Sequence, residues 1–489
     1  MSEDHSGAHA GRPPGRRPRG LPVPVLVAGF VLLALLPMIA AVASRVAPAA
    51  RASEISSALG MLAGAVLLLQ FVSSGRFEAL SGRIGIDRTM GFHRIAAMLA
   101  LAAALLHPLA YVAPTLLADP QAGLHRIGNM LASGRLRSGV LALALLAFVT
   151  MFALWRPRLP VRYEFWRVLH GPAAVATGAL MLHHALGVGG YAEAPIVRMA
   201  WALLALIAVV SVVLVYLVRP VVMARGGWQV ESVRRIAQDV IELTLRATGT
   251  SSLTFRGGQF VWLTIAPHRP PFHDHPFSIA SSGAELPRLR FIVREAGDCT
   301  AALHHRVPGT KVALDGPHGS FVLPDDGAVI VMIAGGVGIA PILGMLEEAA
   351  LNGDRRAFRL LYAVRSADGL AMQERIEDLS RVLNLTTAYH VDEDPGAGKP
   401  ARRLTGAEID TLVAGVEPRT VTAMVCGPAS MMELATDRLI ERGVPQRAIH
   451  YERFDYVAGQ SRLDRERRRH VVSILMAIVA ATFAFGFRW

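Results

Sequence analysis

Four histidines within long apolar stretches carry the clearest chemical signal in the sequence. His93 and His107 lie fourteen positions apart, and His170 and His183 lie thirteen positions apart. In an α-helix both spacings are close to four turns, so each pair shares one helical face with a rise of about 20 Å. Imidazoles serve as axial ligands of haem iron, and ionisable residues within membrane helices usually have a function. The pattern therefore predicts two bis-histidine b-type haems.

The direction of the two helices determines how the histidines pair. If both helices run from the inner to the outer membrane face, His93 lies level with His170, and His107 lies level with His183. His184 is the alternative outer ligand. It lies about 100° around the helix from His183, so only one of the two faces the haem, and we favour His183. The other interpretation is that these histidines only pack helices or lie at the membrane interface.

The helices that must position these histidines are visible as long apolar stretches. Hydrophobic residues make up 52% of the chain, and the mean hydropathy is +0.39. A spanning helix needs about 20 apolar residues. Six such helices are predicted, at roughly 22–44, 55–74, 92–114, 138–156, 166–188 and 197–219. A seventh apolar stretch at 471–487 follows a basic run and is predicted to span as well, with a docked amphipathic helix as the alternative.

Charge and cysteine content narrow the class further. The net charge is +12, but the arginines cluster beside the apolar stretches, as they do where charge orients membrane helices. Their excess in the predicted inner segments places the N-terminus and the soluble part of the chain in the cytoplasm. Nucleic-acid binding is not predicted. Cys299 and Cys426 lack metal-ligand spacing, which argues against a zinc site or a cysteine-held iron–sulfur cluster.

A first group of short motifs in the second half of the chain suits a flavin. His275-Pro276-Phe277-Ser278 ends a predicted strand with a hydroxyl that could lie near the reactive nitrogen of the flavin. Arg294 could pair with a pyrophosphate, and the GDCT segment at 297–300 offers backbone and hydroxyl donors at a helix start. A tight turn, GPHGSF, follows at 316–321. The surrounding β-branched runs and Gly/Pro turns predict a small antiparallel barrel.

A second group of motifs suits a nicotinamide dinucleotide. From about residue 328 strands alternate with helices, which predicts a parallel α/β sheet. The first strand leads into GGVGIAP at 335–341, where glycines let the backbone approach a pyrophosphate at a helix N-terminus. This is not the GxGxxG pattern and is weak evidence alone. CGP at 426–428 and YERF at 451–454 follow in order.

In this order and at these spacings, the motifs resemble those of the ferric reductase and NADPH oxidase superfamily. Members join a haem-carrying six-helix membrane domain to a ferredoxin-NADP-reductase-like module, and the resemblance covers about residues 50–455. It implies FAD binding by His275, Pro276, Phe277, Ser278, Arg294, Gly297 and Thr300. It implies that the nicotinamide site is lined by Gly335, Gly336, Gly338, Pro341, Cys426, Gly427 and Pro428.

The resemblance also suggests which residues take part in catalysis. Ser278 and Phe454 are the predicted catalytic residues, with Phe454 as the aromatic ring against the flavin. In relatives that ring usually ends the chain, whereas about 35 residues follow here, so Tyr456 is the alternative. Cys299 replaces a residue that is often aromatic in relatives. It is expected to be a small filler, and Cys426 a residue of the nicotinamide pocket.

The resulting prediction is a multi-domain integral membrane protein, placed in the bacterial inner membrane. A basic, disordered tail (1–21) precedes the transmembrane haem bundle (22–222). An antiparallel barrel that binds FAD (226–325) and a parallel-sheet domain that binds NAD(P) (326–457) follow. A basic linker and an apolar helix end the chain (458–489).

The expected activity is transfer of electrons from cytosolic NAD(P)H, through FAD and two haems, to an extracytoplasmic acceptor. That acceptor is oxygen or a ferric chelate. One alternative is a relay subunit that passes electrons to a periplasmic or quinone partner, and another is a tethered flavin reductase without haem. No protein partner is implied. The choice between NADH and NADPH stays open, although Arg365 could meet a 2′-phosphate.

Overall fold

The computed structural model describes residues 20–224, 226–249, 253–265, 274–295, 297–370, 372–393, 403–453 and 459–487. The first half of the chain is helical. Its helices are α1 Val23–Ala43, α2 Arg51–Leu69, α3 Glu78–Ile84, α4 Ile86–Ala118, α5 Pro120–Ala132, α6 Arg137–Trp155, α7 Tyr163–Val188, α8 Pro195–Val213 and α9 Arg219–Ala224.

Helix α2 is the centre of this bundle. It packs against α1, α4, α7 and α8. In its most apolar stretch 72% of the residues are buried, compared with 22–28% in the other helices that are long and apolar enough to cross a membrane. Small residues permit this close packing, because a Cβ atom at Gly64 would lie 2.6 Å from the sulfur of Met181. The other helices expose apolar faces, which is expected where lipid rather than water surrounds them.

Six helices in the described part of the chain are long and apolar enough to cross a membrane. They are Val23–Ala43, Arg51–Leu69, Ile86–Ala118, Arg137–Arg158, Pro195–Met223 and Arg462–Gly486. Five correspond to predicted spans and the sixth to the C-terminal stretch. Helix α7, also predicted to span, forms as a 26-residue helix whose three histidines lower its hydropathy. The first half of the chain is therefore an integral membrane domain.

The segment between α4 and α6 differs from the loop that was expected there. Residues Pro120–Ala132 form helix α5, which begins because Asp119 accepts hydrogen bonds from the backbone amides of Gln121 and Ala122. An N-cap carboxylate of this kind satisfies amide groups that have no partner within the helix. The segment between α4 and α6 thus contains an ordered helix.

The next domain is a six-stranded antiparallel sheet, as predicted. Its strands are β1 Trp228–Ala237, β2 Val240–Ala247, β3 Phe260–Ile265, β4 His275–Ser278, β5 Arg288–Arg294 and β6 Lys311–His318. They lie in the order β4-β3-β6-β1-β2-β5. An antiparallel bridge between Ile279 and Phe291 connects the two edges and closes the sheet into a barrel. The short helix α10, Asp298–Ala301, follows β5.

The last globular domain is a five-stranded parallel sheet, also as predicted. Its strands are β7 Val329–Gly335, β8 Ala357–Ser366, β9 Leu385–Glu393, β10 Val421–Cys426 and β11 Ile449–Glu452, in the order β11-β10-β7-β8-β9. The flanking helices are α11 Ile339–Leu351, α12 Gln373–Ser380, α13 Gly406–Val413 and α14 Ala429–Glu441. The strand order reverses between β7 and β10, and this is the topological switch point where such sheets bind ligands.

Helix α15, Arg462–Gly486, begins earlier than the predicted apolar stretch at 471–487. Ser461 and Asp464 form a capping box at its start, so the basic run that was expected to be a linker is helical. Asp464 also accepts a hydrogen bond from Arg453 at 2.6 Å, which fastens the helix to the parallel-sheet domain. Its apolar part packs on α1, α2 and α4.

Candidate functional site

The outer histidine pair meets between α4 and α7. The rings of His107 and His184 lie with their centroids 6.3 Å apart and an interplanar angle of 79°. A metal ion bound by two imidazole nitrogens at about 2 Å each separates the ring centres by roughly 6 Å. The observed spacing would allow both imidazoles to reach one metal ion.

The same geometry favours His184, whereas the sequence favoured His183. The side chain of His183 is exposed, and its Nδ1 lies 3.0 Å from the hydroxyl oxygen of Ser138 on α6. His184 points inward instead, and a Cβ atom at Gly139 would lie 2.5 Å from its Nδ1. Adjacent helical residues differ by about 100° in direction. Which of them faces α4 depends on the glycine at position 139.

Helix α2 fixes the orientation of His107. The Nδ1 atom of His107 lies 2.7 Å from the carbonyl oxygen of Ser56, while the Ser56 hydroxyl donates to the carbonyl of His107 at 2.9 Å. Because a carbonyl can only accept, Nδ1 carries the proton and Nε2 keeps a lone pair for a metal. Metal-binding histidines are typically oriented in this way. Gly60 makes space for this ring, since a Cβ atom there would lie 3.0 Å from Nδ1 of His107.

The inner pair, His93 and His170, has a comparable setting. Nδ1 of His93 lies 3.1 Å from the hydroxyl oxygen of Ser73, just beyond α2. The ring of His170 stacks on Trp166, with centroids 4.9 Å apart and an interplanar angle of 27°. Within the described residues, the buried Nδ1 atoms of His170 and His184 have no hydrogen-bond partner. Buried polar atoms are rarely left in this state, so a partner other than a protein residue is indicated.

The helix packing leaves room between the two histidine-bearing helices. Helices α4 and α7 each pack against α2 and α6, whereas they make little direct contact with one another. The histidines of both pairs project into this gap. The donors present are therefore chemically and spatially suited to haem.

The predicted flavin residues lie along one seam of the barrel. Strand β4, His275–Ser278, pairs with β3, and the bridge from Ile279 to Phe291 places β4 beside the end of β5, where Arg294 lies. Gly297 and Thr300 follow and bond to each other, with the Thr300 hydroxyl donating to the Gly297 carbonyl at 2.9 Å. The structure thus brings the HPFS segment together with the predicted pyrophosphate residues. Phe454 and Tyr456 lie outside the described residues.

The predicted nicotinamide residues meet at the switch point of the parallel sheet. Gly335, Gly336 and Gly338 connect β7 to α11, and Pro341 lies in the first turn of that helix. A Cβ atom at Gly335 would lie 2.6 Å from Pro428, and one at Gly427 would lie 2.9 Å from the Cα of Gly335. One at Gly338 would overlap the carbonyl oxygen of Cys426. Only glycine permits this packing of the two loops.

Glu452 lies within the YERF segment at 451–454, and the sequence predicted no role for it. It ends β11 beside Cys426 on β10, and its carboxylate lies 3.5 Å from a Cβ atom built on Gly319 of the barrel. Burial, reinforced by the charge of Asp87, raises the pKa of Glu452 to about 8. Burial and the neighbouring Glu452 also raise the pKa of the Cys426 thiol. The position of Glu452 at the junction of two domains was not apparent from its neighbours in sequence.

A buried ionic cluster joins the barrel to the membrane domain. Asp274, directly before β4, accepts hydrogen bonds from Arg76 at 2.5 Å and from Arg167 in the first turns of α7. Burial alone would raise the pKa of Asp274, but the two guanidinium groups hold it below its usual value. Arg76 also lies over the ring of Trp262 on β3, 3.9 Å from its centroid. His275 lies 3.5 Å from Glu164 of α7.

Comparison with known proteins agrees with this division of the chain. Family models match residues 59–181 as a ferric reductase like transmembrane component, residues 226–322 as an FAD-binding domain and residues 332–437 as an oxidoreductase NAD-binding domain. The chain therefore has the domain organisation of the ferric reductase and NADPH oxidase superfamily. The resemblance inferred from the motifs is confirmed.

Individual relatives match part of the chain. It is 28% identical over 237 residues to the reductase component of propane 2-monooxygenase from Mycolicibacterium smegmatis, covering 46% of this chain and 66% of that one. It is 30% identical over 247 residues to a flavohemoprotein from Pseudomonas aeruginosa, covering 48% and 62%. The chain thus spans about two thirds of the length of these relatives. A solved Amycolatopsis cytochrome P450 reductase matches at 26% identity with a TM-score of 0.42, over 47% of this chain and 70% of that structure.

Together these observations define an integral membrane oxidoreductase with FAD-binding and NAD-binding domains.

The raised pKa of Glu452 predicts a dependence of stability on pH. Folded protein keeps this proton up to about pH 8, whereas the ordinary glutamate value is 4.5. The folded state thus binds more protons in that window, and folding stability falls as pH rises through it, by roughly 1.4 kcal/mol per pH unit. Glu452→Gln should remove this fall. Thermal unfolding followed by flavin fluorescence from pH 5 to 9 measures it.

The control is Glu374→Gln on the exposed face of α12, which should keep the wild-type profile. A Glu452→Gln variant whose unfolding midpoint follows the wild-type pH profile would contradict the assignment of a buried, protonated carboxyl group.

Proposed function

We propose that this protein carries electrons from NAD(P)H across the membrane to an acceptor on the far side, oxygen or a ferric chelate. FAD would be bound in the barrel and two b-type haems in the bundle, between His93 and His170 and between His107 and His184. The proposal rests on the 6.3 Å spacing of the His107 and His184 rings and on the hydrogen bond from Nδ1 of His107 to the carbonyl oxygen of Ser56. When bound, the flavin converts hydride into single electrons and the haems pass them through the bilayer.

The membrane domain orients the histidine side chains. Ser56 and Ser73 both belong to α2 or the turn after it, so one central helix orients the α4 histidines of both pairs. Because α2 is the most buried helix of the bundle, these orientations are held by packing on all sides. Preorganised ligands of this kind reduce the rearrangement that would accompany each change of charge.

The soluble domains provide residues suited to bind the two cofactors, together with a protonated carboxyl group. Ser278, at the end of β4, and Arg294 with Thr300 at the end of β5 are suited to the flavin ring and its pyrophosphate, respectively. The glycine loop after β7 and the CGP segment after β10 are suited to the nicotinamide dinucleotide. Glu452 holds a proton at neutral pH beside this cleft. Cys426 is a buried thiol, so it contributes shape rather than a nucleophile.

The orientation in the membrane follows from charge. The barrel meets the bundle at Arg76 and Arg167, on the side where the sequence places most of its loop arginines. Arginine-rich segments stay in the cytoplasm, so the flavin and nicotinamide domains are assigned to the cytoplasm. The outer pair then faces the other side of a bacterial inner membrane. Arg126 there is held by Thr115 at 2.6 Å and by the ring of Tyr111.

Asp274 is suited to connect the two parts of the electron path. Arg167 precedes His170 by three residues in α7, about one helical turn, and Arg76 follows Ser73 by three residues in the non-helical segment after α2. The carboxylate of Asp274 therefore fixes the barrel directly below the inner pair. The side chains of all three charged residues are at most 12% exposed, so the ion pairs are shielded from solvent.

The outer pair yields a direct comparison of adjacent histidines. His184→Ala should remove one of the two haems, halving the haem-to-protein ratio, because it deletes an axial ligand. His183→Ala should leave the ratio near two, because this side chain contacts Ser138 at the surface. The pyridine haemochrome assay measures haem content in both purified variants. Loss of haem from His183→Ala, with normal haem in His184→Ala, would contradict the assignment.

Asp274→Asn should separate flavin reduction from haem reduction. Removing one partner of a buried ion pair leaves uncompensated charge and costs about 3–5 kcal/mol, which weakens the seating of the barrel. Stopped-flow spectroscopy with NADPH should show flavin bleaching at the wild-type rate and haem reduction slowed at least tenfold. Glu231→Gln, which breaks an exposed pair with Arg288, is the matched control. Equal haem reduction in Asp274→Asn and wild type would exclude this role.

A further inference from the structure

A cavity of about 1020 Å³ lies between the membrane domain, the barrel and the parallel-sheet domain. Its basic lining residues come from several separate parts of the chain. Arg83 and Arg88 belong to α3 and α4, Arg447 precedes β11, His450 lies within β11, and Arg467 lies on α15. No single stretch of sequence therefore shows this concentration of positive charge.

The charge in the cavity is only partly compensated. Within the described ranges, none of Arg83, Arg88 and Arg447 has a carboxylate at ion-pair distance. Nη1 of Arg467 is buried there without a hydrogen-bond partner, although this residue also lies over the ring of Tyr451. Burial, followed by the charges of Arg88 and Arg467, lowers the pKa of His450 against the opposing effect of Asp326.

The acidic groups near the cavity do not balance this charge. Asp325 lines it, and Asp87 acts electrostatically on both Arg88 and Arg467. Another lining arginine, Arg256, already forms an ion pair with Glu348 at 3.3 Å. The cavity therefore has a net positive potential and suits an anion.

The cavity lies at the level of the cytoplasmic membrane surface. Three candidate membrane helices begin around it, since Pro22 and Val23 start α1, Arg88 lies in the first turn of α4 and Arg467 in the second turn of α15. Helix N-termini add partial positive charge. Apolar side chains border the same rim, where Val23 and Val25 are 49% and 53% exposed. An occupant would thus have an anionic part in the cavity and an apolar part along α1.

The cavity borders the GPHGSF turn of the barrel at Gly319 and Ser320 but does not reach the predicted pyrophosphate residues. Its lining includes neither the flavin residues Ser278, Arg294 and Thr300 nor the glycine loop at 335–341. A dinucleotide phosphate already has partners at those positions. The basic cavity is therefore left for a different anion.

We propose that the cavity binds the phosphate headgroup of an anionic glycerophospholipid from the cytoplasmic leaflet. Arg88 and Arg467 contact the phosphate, and the acyl chains lie along the exposed face of α1. Basic pockets at the cytoplasmic ends of membrane helices bind such headgroups. The lipid then bridges the bundle and the parallel-sheet domain, independently of which acceptor the protein uses.

The test uses the full-length protein, delipidated in an uncharged detergent and titrated with phosphatidylglycerol. Native mass spectrometry counts the bound lipids. The wild type should retain one phosphatidylglycerol with saturation, whereas phosphatidylcholine of the same acyl length should bind much more weakly. Arg88→Gln with Arg467→Gln should weaken binding on the order of 25-fold, since each arginine near the surface contributes roughly fivefold.

The matched control is Arg465→Gln with Arg469→Gln, which removes the same number of charges from exposed positions of α15. It should bind like the wild type. Equal binding in the Arg88/Arg467 variant, or equal binding of phosphatidylcholine, would overturn the proposal. Inorganic phosphate that competes as tightly as the lipid would overturn it as well, because the site would then take a free anion. Haem content of the Arg88/Arg467 variant, measured in parallel, shows that the bundle is intact.

Discussion

The contact between Asp274 and its two arginines is the interaction on which the rest of the structure depends. It is the point where a buried charge of the barrel enters the base of the helical bundle. Arg76 follows the central helix α2, and Arg167 lies in the second turn of the helix that carries His170 and His184. The position of the flavin barrel is thereby tied to the two elements that set the histidine geometry. A shift of the barrel would leave this charge cluster uncompensated.

Glycine and serine at particular positions of α2 and α6 account for the histidine geometry. Gly60 and Gly139 leave room for the rings of His107 and His184, and Ser56 fixes the tautomer of His107. Larger side chains at these positions would displace these rings. Function in this domain therefore depends as much on the absence of side chains as on the ligands themselves.

Sequence alone predicted the domain order, both sheets and the class of chemistry, because these follow from hydropathy, strand–helix alternation and motifs of fixed spacing. It favoured His183 over His184, because the inward position of His184 depends on the space left by Gly139 on another helix. It missed Asp274 and Glu452, whose partners Arg76, Arg167 and Cys426 are distant in sequence. The basic run before residue 471 was expected to be a linker, because the capping contacts of Ser461 with Asp464 were not recognised.

The most direct test of the central claim is an optical spectrum of the purified protein before and after anaerobic addition of NADPH. Our account predicts a Soret band that shifts on reduction, with flavin bleaching and two haems per chain. A flavin spectrum without a Soret band would mean that the paired histidines are structural. Electron transfer through the bundle would then have to be abandoned, while the flavin and nicotinamide sites would remain.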